Sequence, residues 1–265
     1  MPYSVIADIE LWFERAGEGR RLLFISGTGG DLRVRPNVFE GPFARTFDLL
    51  AYDQRGLGRS SKPDVPYSMA QYADDAASLL DHVGWPTAAV IGVSFGGMVA
   101  QELVLRHPER VERLVLACTS PGGAGGSSFP FHEIEHLQGE ARARHLIPVS
   151  DTRRDAAWAA ANPELHAQLL TMGSADPYAD ETGHRAGARR QLEARAKHDA
   201  WDRLDRIACP VLIAAGRYDG IALPETQENM AARIPGAQLR FFEGGHLFML
   251  QDRAANRAMI EFLNG

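Results

Sequence analysis

The sequence holds two cysteines in 265 residues, Cys118 and Cys209. Each sits beside an apolar run, so they read as small core residues of a protein kept in a reducing compartment, and a disulfide or metal framework is not expected. No apolar run approaches the roughly 18 residues needed to cross a bilayer. The opening Met1–Asp8 lacks a basic segment followed by an apolar core, so no secretory leader is expected and a cytoplasmic location is. Long basic runs are missing too, and the net charge is −6, which argues against a nucleic-acid surface. No repeat recurs at a fixed period. What remains is a soluble globular chain, 45% hydrophobic and 23% charged, long enough to bury a substantial core.

Apolar runs and helical patterns alternate along most of it. Strands are predicted over 9–14, 21–25, 47–52, 88–91, 114–117, 211–215 and 238–242. A helix from about Met69 to Val83 places Met69, Tyr72, Ala73, Ala76, Leu79, Leu80 and Val83 on one face. Ser68 and Gln71 form a capping box before it, and Gly84 with Pro86 stops it. Further helices are predicted after residue 94, near 225–234 and from about Arg253. Strands alternating with helices imply an α/β fold, a mostly parallel sheet covered on both faces. From Pro121 to about Ala200 no strand is predicted. A glycine-rich tract, Gly122 to Ser128, reads as a solvated linker that hinges a helical cap over the sheet's active edge. The expected division is a core over 1–121, a cap over 122–200 and the rest of the core over 201–265.

The chemistry centres on Gly92-Val93-Ser94-Phe95-Gly96-Gly97, which reads G-x-S-x-G. A buried strand precedes it, and a helix follows until Pro108. A serine at so sharp a strand-to-helix turn is expected to be strained and exposed, with glycines at 92 and 96 because side chains there would collide. The helix N-terminus behind Ser94 supplies unpaired N–H groups where an oxyanion would form. A glycine-rich turn whose serine merely caps the helix is the bland alternative. The strand and helix on either side favour a nucleophile.

With these residues in view the chain resembles an α/β-hydrolase. The resemblance covers nearly all of it except the cap. The family's Asp-x-Arg-Gly-x-Gly-x-Ser stretch stands here as Asp53 to Ser60, its acid loop as Gly216-Arg217-Tyr218-Asp219 and its histidine loop as Gly244-Gly245-His246. The order serine, aspartate, histidine is also the family's. The resemblance implies an α/β-hydrolase fold with Ser94 as nucleophile, His246 as general base and then acid, and Asp219 fixing the histidine's tautomer. It further implies oxyanion donors in the N–H groups of Phe95 and Thr28. Where many members carry His-Gly-x, this chain has Ser26-Gly27-Thr28. That loop is similar to the one in 3-oxoadipate enol-lactonases, which points to lactones or small acidic esters. How the loop is held without its histidine is left open.

Several residues have plainer readings. Asp219-Gly220 is also a common turn pair. Asp53 and Arg55 read as a structural ion pair, His107 as a helix-terminus residue on the last carbonyls, and Arg33 and Arg35 as solvated loop arginines in preference to partners of a substrate carboxylate. Nine histidines, six of them between His132 and His198, make abundance useless for choosing a base. His132-Glu133-Ile134-Glu135-His136 spells H-E-x-x-H, the zinc-peptidase arrangement when helical. Arg142 stands where the longer motif has its third ligand, and the segment is short and flanked by glycine. No metal and no cofactor are therefore expected. The expected activity is hydrolysis of a small-molecule carboxylic ester or lactone. Carbon–carbon hydrolysis and cofactor-free haloperoxidation use the same triad, and a non-catalytic ligand receptor would use the same fold.

Overall fold

The computed structural model describes residues 3–6 and 9–265; Met1, Pro2, Ala7 and Asp8, part of the stretch searched for a leader, lie outside them. The chain runs β1 (Tyr3–Ile6), β2 (Ile9–Ala16), β3 (Arg21–Ile25), β4 (Asp48–Tyr52), α1 (Met69–His82), β5 (Ala88–Val93), α2 (Phe95–Arg106) and β6 (Val111–Ala117). Four helices interrupt the alternation: α3 (Gly139–Ser150), α4 (Ala156–Ala161), α5 (Pro163–Ser174) and α6 (His184–Ala196). Then come β7 (Val211–Gly216), α7 (Pro224–Arg233), β8 (Gln238–Phe242), α8 (Phe248–Gln251) and α9 (Arg253–Asn264). The eight strands form one sheet in the order β1-β2-β4-β3-β5-β6-β7-β8. The two pairings of β2 are antiparallel and the rest are parallel.

The central strands β5 and β7 are apolar along almost their whole length because helices cover both faces. One apolar layer joins α1 and α2 to the sheet through Tyr72, Leu80, Phe95 and Leu103; the other joins α9 through Met259 and Leu263. Ser68 and Gln71 make the expected capping box of α1. No helix among the described residues is long and apolar enough to cross a membrane.

Chain direction decides where a site can form. From β3 the chain moves to β4 on one side, then returns to β5 on the other. The C-terminal ends of β3 and β5 therefore open a crevice between diverging loops. The loop after Ile25 and the turn at Ser94 flank it, and β7 and β8 bring their loops to the same edge.

The segment between β6 and β7 is tied down at both ends. Gly122 bridges Asp199, the Ala200 N–H donates to Pro121 O at 2.8 Å, and a Cβ on Gly125 would lie 2.1 Å from Trp201. The glycine tract is thus no solvated linker over its length. Lacking side chains, it lets the outgoing and returning chain cross in contact, and Gly122 and Gly125 are buried. At the end of α6, Ala194 joins the main core.

Candidate active site

Val93 ends β5 and Phe95 begins α2, leaving Ser94 alone to turn the chain at φ 54° and ψ −115°. That backbone is unfavourable for a residue with a side chain. Ser94 N–H donates to Ala117 O at 2.8 Å, while Ser94 O accepts from Gly97 N–H and from Thr119 Oγ1 at 2.7 Å. A Cβ on Gly92 would lie 2.3 Å from Gly96 O, and one on Gly96 would lie 2.1 Å from Ile25 O. The two glycines therefore answer different crowding: the first admits the helix, the second admits α2 against the end of β3. Ser94 is strained as expected but not exposed, at 6%. The loop after β3 and the His246 ring close over it.

The structure brings the three distant residues together. His246 Nε2 lies 2.9 Å from Ser94 Oγ, and His246 Nδ1 lies 2.8 Å from Asp219 Oδ2. An ionised carboxylate only accepts, so Nδ1 carries the proton and Nε2 accepts from the serine hydroxyl. Asp219 is 1% exposed. Its Oδ1 accepts from the Ile221 and Ala222 N–H groups at 2.8 and 3.0 Å, so its turn and its histidine use different oxygens.

Two carbonyls that the sequence analysis missed steady these loops. At the end of α3, Val149 O accepts from Gly220 N–H at 3.0 Å and Ser150 O from His246 N–H at 2.6 Å. Main-chain acceptors carry no residue signature, so no sequence signal marks them.

The Ser26-Gly27-Thr28 loop is held from three sides. Gln54 Nε2 donates to Ser26 O at 2.9 Å, Gly29 N–H donates to Gln191 Oε1 at 2.9 Å, and Arg195 Nη1 donates to Thr28 Oγ1 at 2.7 Å. Amide and guanidinium groups thus stand in for the family's histidine, two of them from α6. Among the described residues the N–H groups of Thr28 and Phe95 take no acceptor within the protein, and for Phe95 this follows from its place at the start of α2.

Arg55 pairs with Asp75, not with Asp53, through bonds of 2.6 and 2.7 Å. Asp53 instead accepts from the Leu32 and Arg59 N–H groups at 2.7 and 2.9 Å. Burial raises its pKa to about 6. The His107 ring reaches Asp74 at 2.8 Å rather than the helix carbonyls, since α1 packs alongside α2. Arg33 is no solvated arginine: it pairs with Asp31 and Glu181 and stacks 3.5 Å from the centre of the Tyr178 ring. Arg35 is half exposed, beside Glu40. The H-E-x-x-H stretch forms a 3-10 turn over Phe131–Ile134, so His132 and His136 do not share a helical face, and both are exposed. Cys118 is a buried free thiol and Cys209 a half-buried one.

Comparison with known proteins agrees with this architecture. A family model described as the alpha/beta hydrolase fold matches residues 20–157. The chain belongs to the α/β-hydrolase family. This hydrolase is similar to a 3-oxoadipate enol-lactonase of Acinetobacter baylyi, 28% identical over 95% of this chain and 92% of the relative. It is also similar to a poly(3-hydroxyalkanoate) depolymerase of Ectopseudomonas oleovorans, 31% identical over 86% and 78%. The crystal structure of an enol-lactonase from Burkholderia xenovorans superposes on it with a TM-score of 0.80, at 25% identity and complete coverage of both chains.

Proposed function

We propose that this hydrolase cleaves a carboxylic ester or lactone through an acyl-enzyme intermediate on Ser94. The observation that carries the reading is the unbroken line from Ser94 Oγ through both nitrogens of His246 to a buried carboxylate, at 2.9 and 2.8 Å. His246 Nε2 takes the hydroxyl proton as Ser94 attacks the carbonyl, and Asp219 stabilises the imidazolium that results. The new oxyanion sits between the β3 and β5 loops, where the Phe95 and Thr28 N–H groups donate to it. His246 then protonates the leaving alkoxide, and water repeats the sequence to release the acid. No cofactor and no metal enters these steps.

The segment over 122–200 serves as the cap of this reading, with the core on either side at 1–121 and 201–265. It walls the pocket and limits water. The enol-lactonase names among the relatives support a lactone or small ester, and the enzyme works on free small molecules in the cytoplasm.

The test is a fluorophosphonate, which reacts with an activated serine beside an oxyanion hole. Intact-protein mass spectrometry is expected to find one adduct, absent from Ser94→Ala, alongside turnover of short aryl esters. A protein that takes no adduct, or takes one in Ser94→Ala, is not a Ser94 hydrolase and fits a ligand receptor on the same fold.

A further inference from the structure

Arg195, in the last turn of α6, is only 6% exposed. Its Nη1 donates to Thr28 Oγ1 and its Nη2 to Ser128 Oγ, each at 2.7 Å, and the guanidinium lies 4.4 Å from the centre of the Phe131 ring. None of these partners is an anion, and no carboxylate among the described residues makes an ion pair with it. Arg55, equally buried, is met by Asp75 in a two-point pair, and the less buried Arg33 and Arg203 are met by Asp31 and Glu102. Burial lowers the Arg195 pKa to about 10, which still leaves it charged at neutral pH. The fold therefore holds a cation in a poorly solvated place with no direct ion-pair partner, Asp219 attracting it only at longer range, which is costly unless something completes it.

Arg195 forms one wall of a cavity of about 120 Å³, with Ser120, Ser128, Phe131, Leu192 and His198 among the others and no acidic residue. His198 is 6% exposed, and no side chain among the described residues hydrogen-bonds its ring, which has only the Ser120 main chain close by; Ser120 Oγ has no hydrogen-bond partner either. Burial, helped by nearby Arg203, pushes the His198 pKa down to about 3, so the ring is neutral and offers one N–H. Two features place this cavity beside the reacting centre. Met98, one turn along α2 from Ser94, also lines it, and Arg195 holds the side chain of Thr28, whose N–H faces the proposed oxyanion. Of the five N–H donors of Arg195, two are used by Thr28 and Ser128. The remaining three, one on Nε and one on each Nη, include a pair able to meet the two oxygens of a carboxylate.

We infer that this cavity is a carboxylate subsite and that the ester or lactone cleaved at Ser94 carries a free carboxylate, gripped by Arg195 with Ser120 and His198 as neutral partners. The inference rests on the hydrolase reading above for the chemistry, though not for the binding.

Two isosteric substrates separate it from a merely structural role. One is the p-nitrophenyl monoester of glutarate. The other is the uncharged ester in which an isopropyl group replaces its free carboxylate. The unaltered enzyme should prefer the charged ester in kcat/KM. In Arg195→Gln the charged-to-neutral ratio should fall about 10- to 100-fold, the worth of a hydrogen bond to a charged group, while Arg195→Lys should keep part of it. If Arg195 only braces the Thr28 loop, both esters will slow together and the ratio will hold, which overturns the inference. Should Arg195→Gln fail to fold, calorimetry on the unaltered protein decides: glutarate must bind more tightly than glutaramide, and added salt must weaken that preference. Equal binding overturns the subsite. Calorimetry needs no turnover, so preferred glutarate binding with neither ester cleaved refutes the hydrolase reading and leaves the subsite standing.

Discussion

Replacing Asp219 by asparagine tests the proposed mechanism at its least visible member. His246 Nδ1 stands 2.8 Å from Asp219 Oδ2, which puts the centres of the two charges roughly 4 Å apart once the imidazolium forms. At an effective dielectric constant near 20 that attraction is about 4 kcal/mol, or about 10³-fold in rate. Asparagine removes the charge and also turns an N–H toward Nδ1. The ring proton then moves to Nε2, which faces Ser94 with a donor where an acceptor is needed, and a further factor of about 10 is lost. The sum agrees with the cost of about 10⁴-fold known for the same change in serine proteases. Stability should respond differently. The Asn oxygen can keep the bonds that Oδ1 accepts from Ile221 and Ala222, so the melting temperature should stay within about 2 °C. Asp219→Ala orphans both buried N–H groups at about 1–3 kcal/mol each, and should melt at least about 4 °C lower. Turnover on an aryl ester and thermal denaturation of both variants give the answer. Near-normal turnover in Asp219→Asn with a lowered melting temperature would make Asp219 a turn residue only, and refute its catalytic role.

Two further outcomes are expected. Gly96→Ala should fail to accumulate as folded protein or should melt more than about 10 °C lower, because its Cβ would meet the Ile25 backbone at 2.1 Å. Gly84→Ala, at φ 70° but with open space around it, should cost only about 1 kcal/mol. Equal melting temperatures for the two would mean that close packing of α2 on β3 does not explain the elbow glycine. Asp53, with its folded pKa raised to about 6, holds its proton more tightly in the native state than in the unfolded chain. Its contribution to stability should therefore be complete below about pH 4 and decline as pH rises to 6, the reverse of the depressed Asp31, Asp74 and Asp151, which lose theirs on acidification. Carbon NMR of the Asp53 carboxyl should titrate near pH 6, and a midpoint below 4 would refute the assignment.

Much of this was legible in the sequence because it is local. Apolar runs bounded by glycine and proline placed β3 and β8 at the residues observed and the remaining core strands within a few residues, since a strand buried on both faces has little freedom in composition. Ser68 and Gln71 marked the start of α1 because a capping box is made within four residues. Gly92 and Gly96 marked the elbow, because a turn this tight leaves no room for a side chain. The positions of Ser94, Asp219 and His246 after three strands implied a shared edge, for parallel strands send their C-terminal loops to one side.

Only the tertiary structure could decide which distant groups meet. Arg55 has Asp53 two residues away, yet its partner is Asp75 from α1, because the helix docks where the guanidinium points. The Thr28 loop is held by Gln54, Gln191 and Arg195, none of them near it in sequence. Arg195 itself lies in an arginine- and alanine-rich helix whose composition resembles a solvated one. Its burial without a carboxylate, and the cavity it lines, arise from the path of the chain between β6 and β7. Residue type and local spacing state what a group can do; the packing of segments far apart in sequence decides whether its charge is cancelled by the protein or left for a ligand.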